Sequence, residues 1–144
     1  MEILIKNQQE RIEIDIDLIE KKTKKVLEDL GCNESELSIL LVDDKEIQKL
    51  NKQYRGIDSS TDVLSFSMGE GEGAEVNRWL LGDIIISLET ASNQANERGH
   101  DIMDEVLILI VHGILHLLGY HHEDSDEYAK KMKDQEQKIL RNIL

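Results

Sequence analysis

Residues 101–119, DIMDEVLILIVHGILHLLG, decide the fold. Met103, Val106 to Val111, Ile114, Leu115, Leu117 and Leu118 leave almost no polar face if this stretch is helical. A helix apolar nearly all round is one that other elements surround. Asp101 suits its N-cap, Asp104 and Glu105 suit the positive end of its dipole, and Gly119 can close it in a left-handed conformation. The reading is a central, buried helix over about residues 102–118.

The flanking sequence supplies what packs on it. Upstream, Leu80 to Ser87 is an apolar run of strand length, in which Gly82 marks a bulge or a close backbone approach. A helix from about Leu88 to Arg98 stops at Gly99. Asp62 to Ser67 forms a further strand, with the acidic, glycine-rich loop 69–73 after it, and the short connection suggests a hairpin. Ile3 and Ile5 mark a first strand and Leu37 to Val42 a second. Between these two lies a helix with Asp17 and Glu20 in capping-box spacing. Its inward stripe is Ile16, Ile19, Val26, Leu27 and Leu30, and Gly31 ends it. Asp43 and Glu46 cap the next helix, which turns Ile47, Leu50 and Tyr54 inward and stops at Gly56. A last helix, capped by Asp124 with Glu127, covers the C-terminus with Tyr128, Met132, Ile139 and Leu140. Interleaved strands and helices with one hairpin predict an α+β fold. It is a single domain, 1–144, with a mixed sheet of about four strands, about five helices and the buried helix at its centre.

Composition narrows the function. At 144 residues, 40% of them hydrophobic and 33% charged, the chain has a globular make-up. Seventeen basic against thirty acidic residues leave a net charge of −13, which disfavours a general nucleic-acid coat and an anionic membrane surface. A single cysteine, Cys32, excludes an internal disulfide and a cysteine-based zinc cluster. No apolar run reaches the ~20 residues that span a bilayer, and the start lacks the features of a signal peptide. A soluble, cytoplasmic protein is expected.

Chemistry concentrates at the end of the central helix. Four of the five histidines fall within residues 112–122. His112 and His116 are four apart, so on a helix both rings point the same way. Past Gly119 the chain can turn back, and His121 or His122 can close a third position. A histidine pair alone would fit capped core side chains or the negative end of a helix dipole. The clustering, followed by Glu123, Asp124 and Asp126, favours a metal. Three imidazoles leave Zn²⁺ an open position, the catalytic pattern; nickel, copper or iron also accept imidazole. His100, just before the helix, reads as a loop or capping residue. A zincin protease has His-Glu-x-x-His with the glutamate as general base. Here Gly113 follows His112, so that route to peptide hydrolysis lacks its base.

The segment from His112 to His122, HGILHLLGYHH, resembles the signature of the bacterial YbeY family of single-strand-specific endoribonucleases. Two further blocks agree and stand in family order. One is Asn51, Tyr54-Arg55, Asp58 and Thr61-Asp62-Val63-Leu64-Ser65-Phe66; the other is Leu81-Gly82-Asp83-Ile84. The resemblance covers essentially the whole chain. It implies zinc on His112, His116 and His122, with Arg55 as a functional residue of the cleft. It implies a single-stranded RNA substrate, action in 16S rRNA 3′-end maturation and ribosome quality control, and ribosomal partners. The family usually has Asp before the third histidine, where this chain has His121. It usually has Pro before the Thr-Asp pair, where this chain has Ser60 and no proline anywhere.

Other residues are weighed beside these. Arg55 ends a helix, where any cation is stabilising, but a guanidinium can also fork onto a phosphate. Asp83 either orients a ligand histidine through its second nitrogen or caps a turn. Thr61 and Asp62 hold the loop near Arg55; Ser65 and Ser67 are structural or line a groove. Lys21, Lys22, Lys24 and Lys25 form a solvated helix face or a guide for an RNA backbone. Tyr54, Phe66 and Trp79 are too scattered for a stacking platform. Two other functions fit parts of the pattern. One is a metal-dependent peptidase or other small-substrate hydrolase. The other is a non-enzymatic ribosome-assembly factor with a structural metal.

Overall fold

The computed structural model describes residues 2–67, 80–119 and 126–144. The loop 69–73, Trp79, His121, His122 and Asp124 lie outside the described residues, as does the side chain of Tyr128. The elements run β1 (Glu2–Asn7), α1 (Ile16–Asp29), β2 (Glu36–Val42), α2 (Asp44–Arg55), β3 (Val63–Ser67), β4 (Leu80–Ser87), α3 (Leu88–Arg98), α4 (Ile102–Leu117) and α5 (Asp126–Ile143). The strands form one sheet in the order β1-β2-β4-β3. β1 and β4 pair parallel to β2, and β3 pairs antiparallel to β4, placing Val63 opposite Ile86 and Ser67 opposite Gly82. The α+β architecture, the mixed sheet and the hairpin pairing are those expected.

Strand alternation divides the side chains between two faces. Ile39, Leu41, Ile84 and Ile86 share a core with Ile19 and Leu27 of α1 and with Val106, Ile110, Ile114 and Leu115 of α4. Val42, Leu64 and Ile85 form a smaller cluster with Ile47 of α2. α4 touches α1, α3, α5, β3 and β4, which makes it the central helix. It comes close to the sheet at Gly113, where a Cβ would come within 2.9–3.2 Å of three Ile84 side-chain carbons. Gly82 has φ +139°, and a Cβ there would strike the carbonyl oxygen of Phe66. The β2–β4 register shifts beside it, between Glu36 and Leu37, so the glycine marks both a bulge and a close approach.

Two local expectations are corrected. α1 is capped by Asp15, whose side chain accepts from the Leu18 N–H, and not by Asp17, which lies in the first turn. Ile14 and Ile19 flank that cap at hydrophobic-staple spacing and join the same core, so burial selects the earlier aspartate. Tyr54 is 62% exposed rather than inward; its ring leans on Phe66 at 5.3 Å between centroids, beyond the apolar stripe of α2. Asp101 occupies the N-cap of α4 but makes no side-chain capping bond. Gly56 and Gly99 close α2 and α3 in left-handed conformations, and Gly119 follows α4 with φ +99°.

Candidate metal centre

α4 carries His112 and His116 one turn apart, on a side of the helix different from the Gly113 contact with the sheet. Their Nε2 atoms converge to 2.9 Å, with ring centroids 4.5 Å apart and planes at 63°. The other nitrogen of His112, Nδ1, lies 2.6 Å from Oε1 of Glu136 on α5. An ionised carboxylate only accepts, so against Glu136 it is Nδ1 of His112 that donates. Both members of this contact are mostly buried in the α4–α5 seam.

The donor set suits a tetrahedral metal. Two Zn–N bonds of ~2.0–2.1 Å at the tetrahedral angle hold their nitrogens about 3.4 Å apart. The observed 2.9 Å separation needs only a small side-chain rotation to reach that bite. Among the described residues no group of three His, Cys, Asp or Glu side chains could hold a metal. His121 and His122, the further candidates of the sequence, lie outside those residues. Sequence reasoning missed Glu136, although a signal existed. Met132, Ile139 and Ile143 are buried at helical spacing, and Glu136 stands in the same row.

Arg55 is the last residue of α2 and is exposed, with no ion pair among the described residues. Its placement follows from the register. Tyr54 stacks on Phe66 of β3, while α4 meets Ile84, the partner of Ser65 in β3. α2 and α4 thus lie on opposite faces of the sheet and flank the edge strand β3, with no contact between Arg55 and either described histidine. The loop between α2 and β3 is pinned as expected of Thr61 and Asp62. Asp62 accepts from the Val63 N–H at 2.8 Å and from Gln94 Nε2 at 3.2 Å, with Thr61 Oγ1 3.3 Å away. Asn51 donates to the Ser59 carbonyl.

Other candidates resolve differently. Asp83 pairs in register with Phe66 and shares a face with Ile85, opposite the face that α4 covers. Among the described residues it neither backs a histidine nor caps a turn. It lines a shallow, acidic depression of about 220 Å³ with Glu2, Glu36 and Ser38, remote from the histidine pair. His100 is bonded rather than merely capping. Its Nε2 lies 2.6 Å from Oε1 of Glu105, a fully buried carboxylate whose other oxygen accepts from Arg98 Nη1 at 2.8 Å. Two lysines of the basic patch are engaged: Lys22 Nζ donates to the Ile143 carbonyl at 2.6 Å and Lys25 Nζ to that of Asn142 at 2.8 Å. Cys32 is a free, partly buried thiol. No described helix is long and apolar enough to cross a membrane.

Fold and site together define an α+β protein whose central helix presents a carboxylate-backed histidine pair beside an edge strand. Comparison with known proteins gives the family. The family model described as Endoribonuclease YbeY matches residues 4–144, and the chain belongs to that family. An Endoribonuclease YbeY of Syntrophus aciditrophicus is 44% identical over 141 residues, covering 97% of this chain and 88% of that one. The Aquifex aeolicus protein of the same name is 50% identical over 127 residues, covering 88% and 83%. The solution structure of TM1509 from Thermotoga maritima superposes with a TM-score of 0.68 at 29% identity, covering 98% of this chain and 88% of that one.

Proposed function

We propose that this chain is a metal-dependent endoribonuclease acting on single-stranded RNA. The observation that carries the metal is the converged Nε2 pair of His112 and His116 with a carboxylate behind His112. The RNA substrate comes from the endoribonuclease name of the relatives. His112, His116 and His122 would hold the ion, with zinc favoured by three imidazoles and nickel or another transition metal also accepted. When bound, the metal supplies Lewis-acid polarisation of a phosphate or a water of lowered pKa. Arg55, at the exposed end of α2, offers a two-pronged donor to a phosphate oxygen and stabilises charge that develops there during cleavage. A single strand laid along the edge of β3 would meet both groups.

The finer reading places the activity in the cytoplasm, in 16S rRNA 3′-end maturation and ribosome quality control, with ribosomal proteins recruiting an acidic enzyme to its acidic substrate. Gly113 weighs against a zincin-type peptidase. The position where such an enzyme has its glutamate base is pressed against Ile84, where a Cβ would already come within 2.9 Å of Cδ1.

The test uses metal-quantified protein on single- and double-stranded RNA, with and without chelator. Cleavage of the single strand should be lost with chelator and in His116→Ala, and should fall about 10²-fold in Arg55→Ala. Activity that survives both substitutions belongs to a contaminant and sinks the proposal. Cleavage unaffected by chelator points to a non-enzymatic role for the metal.

A further inference from the structure

α5 turns Met132, Ile139 and Ile143 into the core, all of them buried. At the spacing 132, 136, 139, 143 one more residue belongs to that stripe, and it is Glu136. A carboxylate in a row that packs on the core needs a hydrogen-bonding partner to offset its desolvation. It has one in Nδ1 of His112 at 2.6 Å, with the two side chains only 21% and 29% exposed. The far end of α5 is tied down separately. Lys22 and Lys25 of α1 donate to the carbonyls of Ile143 and Asn142 in its last turn. The helix is therefore seated by contacts that do not involve the histidines.

From these facts we propose that Glu136 is the positioning residue of the centre. It holds His112 in the Nδ1–H tautomer and turns its Nε2 toward the point where Nε2 of His116 also converges, before any ion arrives. The inference rests on the metal reading above. It adds that α5, clamped by α1, prepares the ligand pair. A carboxylate behind a ligand histidine both fixes its ring and raises its basicity, and losing such a partner weakens metal binding about 10–100-fold.

Two variants separate positioning from packing. Glu136→Leu completes the apolar stripe, so the protein should stay folded with an unchanged or higher Tm while losing the acceptor. Glu136→Gln keeps an oxygen that can accept from Nδ1. On metal-free protein, long-range ¹H–¹⁵N NMR of His112 should show the Nδ1–H tautomer in the wild type and in Glu136→Gln, and a shift toward Nε2–H in Glu136→Leu. Competition of zinc against a chromophoric chelator should show affinity reduced about 10–100-fold in Glu136→Leu and largely restored in Glu136→Gln. A Glu136→Leu protein with wild-type affinity overturns the proposal. So does one that loses affinity with the His112 tautomer unchanged, which assigns Glu136 to packing. A wild-type protein that takes up no zinc overturns the metal reading instead, and the tautomer comparison on the same samples still decides whether Glu136 holds His112.

Discussion

Two glycines set how closely α4 and β3 approach β4. Gly113 lets α4 sit against Ile84, and Gly82 lets β4 sit against the Phe66 carbonyl. They differ in what would yield. At Gly113 the obstacle is the side chain of Ile84, which can turn. Gly113→Ala also gains about 0.8–1 kcal/mol of helix propensity against about 1–3 kcal/mol of overpacking. A net loss of about 1 kcal/mol is expected from urea denaturation. At Gly82 the obstacle is backbone, and φ +139° is itself hostile to a side chain. Gly82→Ala should lose more, about 2–4 kcal/mol, and should expose the β3–β4 amides to exchange. Gly113→Glu, which writes a zincin-like His-Glu-x-x-His into the helix, should unfold the chain rather than create a peptidase, because the carboxylate would be driven into Ile84 without a partner.

Elements are held to one another by charged groups at their ends. Glu105, in the first turn of α4, is fully buried, and it takes Arg98 from the end of α3 and His100 from the intervening turn. Removing it strands no fully buried partner, since Arg98 is half exposed and the His100 ring 26% exposed. Glu105→Ala should therefore cost about 2 kcal/mol in denaturant, below the ~3–5 kcal/mol typical of breaking a fully buried pair. At the other end of the core, Lys22→Ala with Lys25→Ala should loosen α5. The loss is about 1 kcal/mol of stability, with faster amide exchange confined to its last turns. These clamps mark the boundary of what the sequence made legible. Glycine stops after α2 and α3 and the Asp43 cap are local signals, and they lie where the chain pattern puts them. The helical histidine spacing is local too. Asp15 over Asp17 depended on which isoleucines reach the core. The lysine patch is largely the solvated face expected, but the acceptors of Lys22 and Lys25 lie more than a hundred residues away and leave no local trace. Glu136 is a related case: its place in the apolar row is a local signal, but its partner His112 is known only once α4 packs beside α5.

At the scale of the whole molecule the difficulty is charge. Thirty acidic groups against seventeen basic ones oppose a polyanion, and Lys22 and Lys25 are already occupied by α5. Carboxylates outnumber the remaining cations, and the salt dependence of RNA binding reads out how many cations meet phosphates. For single strands log K falls with log salt at a slope of about −0.7 per phosphate neutralised. An enzyme that grips RNA through a wide basic groove would show a steep slope. This chain should show a shallow one, about −1 to −3, from a handful of contacts. The trend should flatten at low salt, where the net negative charge is least screened and repulsion offsets the gain. Arg55→Ala should make the slope shallower by about 0.7, the signature of one lost phosphate contact, while leaving stability within about 0.5 kcal/mol because the side chain is exposed. Anisotropy of labelled single-stranded RNA, titrated with chelator-treated protein over a range of potassium chloride, gives both slopes. Equal slopes for wild type and Arg55→Ala would remove Arg55 from the RNA path, and a wild-type slope steeper than about −4 would mean that an acidic chain has assembled a basic groove after all.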